Sequence, residues 1–307
     1  MVTNSNILVA GGSGFIGSNL ISELIFKGNK VVCLSKNHIK SEKRIKNVKY
    51  IEHDLRHPIK KNKLKNFSDI EYIINCSGYI NHNNFQMDGK DIFSNHFEII
   101  HNLIDLALIL KPVSFIQIGS SDEYGKRNSP IKESVREEPL SPYALGKLAS
   151  THYLRQCYLK GILNTVVLRP FLVFGERQNK QRFLPYLIEN CKNDREFKVT
   201  KGEQIRDYLY IKDFNKALIK CLKNKNAYGE IINIGSGIPI SIKEVILEVQ
   251  ALIGKGKPIF GGISYREGES MELYANIEKA KRLLNWSPKH DFKKSLEKVI
   301  NWYSNND

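Results

Sequence analysis

Apolar residues in this chain fall into short continuous runs separated by longer stretches with helical spacing. Ile7-Leu-Val-Ala10 reads as a buried strand, followed by a glycine loop and an apolar-periodic helix from about Phe15 to Phe26. Val31-Val-Cys-Leu34 reads as a second strand, and Tyr72-Ile-Ile-Asn-Cys76 and Phe115-Ile-Gln-Ile118 as further strands around a helix from about Phe93 to Leu110. A helix from Tyr143 to Leu159 and a strand Thr165-Val-Val-Leu168 continue the rhythm. Strands that alternate with helices, each almost wholly apolar, predict an α/β fold with a doubly wound parallel sheet covered on both faces.

After Arg169-Pro170 the pattern changes. Polar loops, a short helix near Leu184 to Cys191 and an isolated strand Ile231-Ile-Asn-Ile234 predict a smaller C-terminal lobe interleaved with the first. The expected division is 1–169 plus about 208–246 for one unit, and about 170–207 plus 247–307 for the other. No internal repeat or low-complexity linker interrupts the chain.

Composition narrows the classes. Of 307 residues, 41% are hydrophobic and 26% charged, values of a chain that buries a core and not of a disordered one. No apolar run approaches a membrane span, since even Leu103 to Leu110 is broken by Asp105. The N-terminus enters a strand at Ile7 without the features of a signal peptide, and five scattered cysteines contain no C-x-x-C. A reducing cytoplasm is therefore expected, with no disulfide framework and no metal site. The net charge of +15 is spread over lysines from Lys27 to Lys294 without a basic block, which disfavours nucleic acid and membrane partners. It remains compatible with an anionic substrate.

Chemistry enters at the first loop. Gly11, Gly14 and Gly17 allow a tight turn, close approach to a pyrophosphate and close packing of helix on strand. The amides that open the helix, from Phe15 and Ile16, then face the phosphates. An NAD site usually adds a carboxylate at the end of the second strand. Here Ser35 stands there, 18 residues beyond Gly17, with Lys36 and Lys40 nearby. Cations and no repelling acid favour NADP over NAD.

Tyr143-Ala-Leu-Gly-Lys147 places a phenol and an ammonium one helical turn apart. A neighbouring cation and a helix N-terminus both favour the phenolate, which predicts proton transfer near neutral pH. His53 and His57 flank Asp54 but read as surface histidines, and Phe171, Tyr208 and Tyr210 read as core or pocket lining.

With the glycine loop, the Tyr143/Lys147 pair and the Arg169-Pro170 turn, the whole chain resembles the extended short-chain dehydrogenase/reductases, the nucleotide-sugar epimerases, dehydratases and reductases. The resemblance implies a Rossmann domain, a nucleotide-sugar domain and a catalytic triad of Ser120, Tyr143 and Lys147. It further implies that Asp54-Leu55 contacts adenine, that Asn75 to Gly78 (with Cys76 and Ser77) runs past the cofactor, and that Asn95 and Pro170 support the site. Arg206, in Gly202-Glu-Gln-Ile-Arg-Asp-Tyr208, and Arg266, in Arg-Glu-Gly268, resemble the arginines that bind the substrate diphosphate. An alternative for Arg206 is an ion pair with Asp207 or Glu203. Ser121 and Asp122 occupy substrate-side positions. Without a gap, the family's dehydratase carboxylate pair is missing, because Ser121-Asp122 stands there and a shift to reach Glu123 would break the Tyr124-Gly125 match. Gly119-Ser-Ser-Asp-Glu-Tyr-Gly125 is most similar to 4-ketosugar reductases. Leu172 departs from an asparagine common in the family. The expected activity is hydride transfer between NAD(P) and a sugar carbon, most simply C4. The alternatives are a 4-epimerase, a 4,6-dehydratase and a non-catalytic cofactor sensor. A homodimer is expected from the resemblance, while base and sugar stay open.

Overall fold

The two-residue period of the strands decides which helices they bury. In β1 (Asn6–Ala10), Ile7 and Val9 join one apolar cluster while Leu8 and Ala10 join another. The same split separates Tyr72 and Ile74 from Ile73, and Val166 and Leu168 from Val167. A computed structural model of the protein describes residues 2–81, 83–266 and 268–306.

In chain order, α1 (Phe15–Phe26), β2 (Lys30–Ser35), β3 (Val48–Glu52), β4 (Tyr72–Asn75), α2 (Gly89–Leu110), β5 (Ser114–Ile118), α3 (Pro142–Leu159) and β6 (Thr165–Pro170) follow β1. Next come β7 (Leu172–Phe174), α4 (Phe183–Lys192), β8 (Glu196–Val199), β9 (Ile205–Tyr210), α5 (Ile211–Cys221) and β10 (Ile231–Ile234). The chain ends with β11 (Pro239–Ser241), α6 (Ile242–Ile253), β12 (Lys257–Phe260), β13 (Glu272–Leu273), α7 (Glu278–Leu284) and α8 (Phe292–Asn305).

Seven parallel strands form the main sheet in the order β10-β6-β5-β4-β1-β2-β3. Winding reverses between β1 and β4, so a crevice opens beyond their C-terminal ends. One face packs on α1 and α5 through Leu20, Ile21, Phe214 and Leu218, the other on α2 and α3 through Ile100, Leu103, Ile104 and Leu154. Around β9, a small sheet adds β11 antiparallel and β7 and β13 parallel, while β8 pairs with β12.

Two expectations change. The strand taken as isolated is β10, an edge of the main sheet paired with β6. The helix expected from Phe93 begins at Gly89, ahead of its apolar periodicity. Residue 246, near the expected changeover, lies inside α6, a single capped helix whose Val245, Ile246 and Val249 share a core with α4 and α8. Among the described residues no helix is long and apolar enough to cross a membrane. The five cysteines are free, and no cluster among the described residues could hold a metal.

Candidate active site

Beyond β1 the chain turns at Gly11, whose φ of +70° suits glycine. A Cβ there would lie 2.6 Å from the Ser77 backbone, where the segment after β4 crosses. Gly17 serves packing, because its Cβ would lie 2.4 Å from the Gly11 carbonyl. Gly14 caps α1 without any side-chain bond, and the first turn holds no acid, so the Phe15 and Ile16 amides have no intrahelical acceptor and meet no carboxylate there. A cleft of ≈ 390 Å³ opens in front of this cap. Its walls are the strand ends: Gly11, Ser13 and Gly14 after β1, Leu34 and Lys36 on β2 and beyond, His53 to Arg56 after β3, Cys76 to Tyr79 after β4, with Asn95 and Ile99 from α2. Uncapped amides and bare glycines fit a dinucleotide diphosphate.

At the far end, the Asp54 carboxylate accepts a bidentate bond from Arg56 (3.0 Å to Nε), and Lys36 Nζ lies 3.6 Å away. The Arg56 hydrogen bonds, aided by both cations, hold Asp54 well below the usual carboxylate range. Leu55 is buried beside it. Ser35 is 4% exposed, and its hydroxyl donates to the Asn37 carbonyl at 3.0 Å, so Lys36 but not Ser35 lines the cleft. His57 is exposed as expected. His53 is half-buried in the cleft wall, held by its Nε2 on the His57 carbonyl at 2.9 Å, which corrects its reading as a surface residue. Asn95 lines the same cleft and donates to the Tyr79 hydroxyl at 3.2 Å.

Ser120 ends β5 and caps a 3₁₀ turn, Ser121–Tyr124, its hydroxyl accepting from the Asp122 amide. Ser141 caps α3 through the Ala144 amide at 3.1 Å, and Pro142 fits the first helical position. Tyr143 therefore sits in the first turn, with Lys147 one turn on, both facing α2. Gly146 lets the helices approach, since a Cβ there would lie 2.9 Å from His96. Tyr143 shares a hydrogen bond with Ser120, and its ring meets His96 edge-on at 5.1 Å. Lys147 Nζ donates to the Ile118 carbonyl at 2.9 Å.

Burial, reinforced by the Asp122 charge, pushes the Tyr143 phenol well above its ordinary range, with Ser120 and Arg182 pulling the other way. The protein alone thus does not produce the expected easing toward phenolate; desolvation and the Asp122 charge outweigh the Ser120 hydrogen bond and Arg182. Burial brings Lys147 down to about 8, against the charges of Glu123 and Cys76. Burial and the Lys147 charge bring His96 down to about 3, so it stays neutral.

Several residues that the sequence reading named take partners it did not foresee. Glu123 is wholly buried, ion-paired with Arg169 at 2.6 Å, and so does not reach the site as a dehydratase acid. Asp122, half-buried, is the carboxylate whose charge acts on Tyr143. The signals were present: Ser120-x-x-Glu123 spells a capping box, and Arg169 ends an otherwise apolar strand, where a charge demands a partner.

In the second lobe Arg206 pairs with Glu269, and with neither Asp207 nor Glu203. Asp207 is buried and accepts from Ser236, Gly237 and Ala275, while Glu203 accepts from Tyr265 at 2.7 Å. Arg266 is exposed, and its carbonyl accepts from the Glu269 amide at 3.0 Å, so one turn links the two arginines. Glu267, part of the expected Arg-Glu-Gly motif, lies outside the described residues. Pro170 and Leu172 are half-buried where β6 leads into β7, and Ser121 is buried. Phe171, Tyr208 and Tyr210 are core.

A parallel sheet whose winding reverses at a glycine cradle, beside a buried tyrosine–lysine helix, places the chain among Rossmann enzymes that work with a bound dinucleotide. The NAD dependent epimerase/dehydratase family matches residues 7–235, and the chain belongs to that family. A protein of Methanocaldococcus jannaschii, provisionally named a UDP-glucose 4-epimerase, is 31% identical over 98% of this chain and 99% of its own. Two solved structures cover the whole fold. The UDP-glucuronic acid 4-epimerase of Bacillus cereus, in complex with UDP-glucuronic acid and NAD, is 26% identical with a TM-score of 0.88, covering 98% of this chain and 99% of its own. The UDP-N-acetylglucosamine 4-epimerase of Methanobrevibacter ruminantium, in complex with UDP-N-acetylmuramic acid, is 25% identical with a TM-score of 0.89 and full coverage of both chains (100% each). Membership makes the protein an NAD-dependent enzyme of nucleotide-sugar chemistry.

Proposed function

We propose that the protein moves hydride at C4 of a nucleotide-diphosphate sugar, with Ser120, Tyr143 and Lys147 as catalytic residues and 4-epimerisation as the net result. The carrying observation is the continuity of the cleft with Lys147, one turn from Tyr143. Gly78 walls the cleft, and a Cβ added there would lie 3.4 Å from Lys147 Nζ. The bound nicotinamide supplies the hydride acceptor and donor and, when oxidised, a positive charge. Tyr143 acts as its phenolate, favoured by the Lys147 ammonium and by the oxidised nicotinamide's charge; Oη takes the sugar hydroxyl proton as that carbon loses hydride, and the neutral phenol returns it as hydride comes back. Ser120 Oγ donates to the same sugar oxygen.

The Gly119–Gly125 string alone favours a net reductase. Relatives spanning nearly the full chain and named as 4-epimerases support the isomerising outcome instead. NAD is the carrier in this reading, over the NADP that Lys36 suggests, because Asp54 already occupies both nearby cations. Arg206 and Arg266 hold the diphosphate, their guanidinium forks matching its oxygens. The cofactor unit comprises 1–169 plus about 208–246 less the start of α6, and the substrate unit comprises the remainder. A cytoplasmic homodimer paired through α2 and α3 completes the reading, supported by exposed Leu108, Ile109 and Leu145.

The test is incubation of purified protein with NAD and a panel of UDP-, GDP-, dTDP- and CDP-sugars. The expected result is interconversion of 4-epimers without accumulating reduced nicotinamide. Stoichiometric reduced nicotinamide would return the reading to a dehydrogenase. Wild-type turnover in Tyr143→Phe would remove the catalytic assignment.

A further inference from the structure

The Ser120–Tyr143 pair comes from two separate elements, the end of β5 and the start of α3. One side chain is bonded to both. Glu123 Oε1 accepts the Ser120 amide at 2.8 Å, and Oε2 accepts the Thr151 hydroxyl of α3 at 2.8 Å. Thr151 stands one turn beyond Lys147 and two beyond Tyr143, on the same helix face. Oε2 also receives Arg169 Nε at 2.9 Å from β6, and the Glu123 and Arg169 side chains are both 0% exposed. Gly119 leaves the room: a Cβ there would lie 2.5 Å from Glu123 Oε1.

Burying an ion pair is a costly way to fill this space. A well-packed apolar pair of the same volume is commonly as stable or more so. An apolar side chain at 123 could not accept from Ser120 and Thr151 together.

Resting on the reading above, we propose that Glu123 is a positioning residue for that reaction. Held by Arg169, it fixes the distance between the Ser120 hydroxyl and the Tyr143 phenol without touching substrate.

The groups facing Tyr143 are Asp122 and Glu123 from the 3₁₀ turn, His96 from α2, Arg182 ahead of α4, and Lys147 on its own helix. Neutralising Glu123 removes one negative charge from this set. The acid limb of kcat/KM should therefore move to lower pH, and a fall in kcat with KM and cofactor affinity held is what a purely structural role would not produce.

Two variants test the proposal in the full chain with saturating NAD. Thr151→Val removes only the link to α3 and leaves the ion pair. It should lower kcat about tenfold, with KM for the nucleotide sugar and NAD affinity within about twofold. Glu123→Gln should lower kcat about a hundredfold and move the acid limb down by about half a pH unit. If Glu123→Gln folds poorly, the double variant Glu123→Gln/Arg169→Met removes the unpaired guanidinium and should regain thermal stability without regaining kcat. Wild-type kcat in Thr151→Val, an unmoved acid limb, or recovery of kcat together with stability in the double variant would each overturn the proposal. Loss of turnover in Tyr143→Phe alongside unaffected Glu123 and Thr151 variants would discard only this inference; a fully active Tyr143→Phe would discard the reading beneath it.

Discussion

Lys147 shows how one residue can serve chemistry at the expense of the fold. Its ammonium is buried and donates to the Ile118 carbonyl, and burial lowers it from 10.5 to about 8. A lysine whose folded value lies below its unfolded value weakens the fold wherever it is charged in both states, here below pH 8. That cost, about 3 kcal/mol, fades as pH climbs from 8 toward 10.5. Lys147→Met should therefore abolish turnover yet melt no lower than wild type at pH 7, and its advantage should shrink as pH rises. Thermal melts at pH 7, 8.5 and 10 read this directly. Asp122 gives the complementary case. After burial, its charge is the next cause holding the Tyr143 phenol up, so Asp122→Asn should shift the acid limb of kcat/KM to lower pH. A pH profile that does not move would remove Asp122 from the site's electrostatics.

At the scale of elements, strand ends do most of the positioning. β1, β2, β3 and β4 all terminate on one crevice, which is why residues from 11 to 79 meet there. The Asp54 carboxylate after β3 binds Arg56 and Lys36, and this three-residue charge cluster edges the cleft. Asp54→Asn should free both cations and shift the NAD:NADP affinity ratio roughly tenfold toward NADP, measured by titration of each cofactor. Most strands and helices before Arg169 were legible because apolar runs and glycine spacing are local signals, whereas β3, with charges at Lys49 and Glu52, was not read as a strand. Ser120, Tyr143 and Lys147 were legible by resemblance, and the structure brings them together. What was not legible depends on distant pairing. Ile231–Ile234 looks isolated until β6 supplies its partner, and the Glu269 pairing of Arg206 joins residues 63 apart in the chain. β9 and α5 were missed because the polar stretch from Gln204 to Lys216 hides its periodicity among charges.

At the scale of the molecule, one continuous apolar cluster takes in Leu20 and Ile21 of α1, Phe214 of α5, and Phe174 and Tyr208, with Phe292 of α8 packed against it. Such continuity favours a rigid frame, so substrate capture falls to side chains and to the field of the whole protein. That field is strongly positive, with a net charge of +15, while Arg206 is already paired with Glu269. Two consequences can be separated. A doubly charged diphosphate is drawn in by the general field, which salt screens over about 8 Å at physiological ionic strength. KM for the nucleotide sugar should therefore rise with added sodium chloride while kcat at saturation holds. The local pair acts differently, since a diphosphate must displace or share Glu269 to reach the Arg206 fork. Glu269→Gln leaves the fork uncommitted and should lower KM several-fold at low salt with kcat unchanged. It should also steepen the salt dependence, because one more unpaired cation then meets the phosphate. If KM instead rises in Glu269→Gln, the carboxylate orients Arg206 for the diphosphate and does not compete with it.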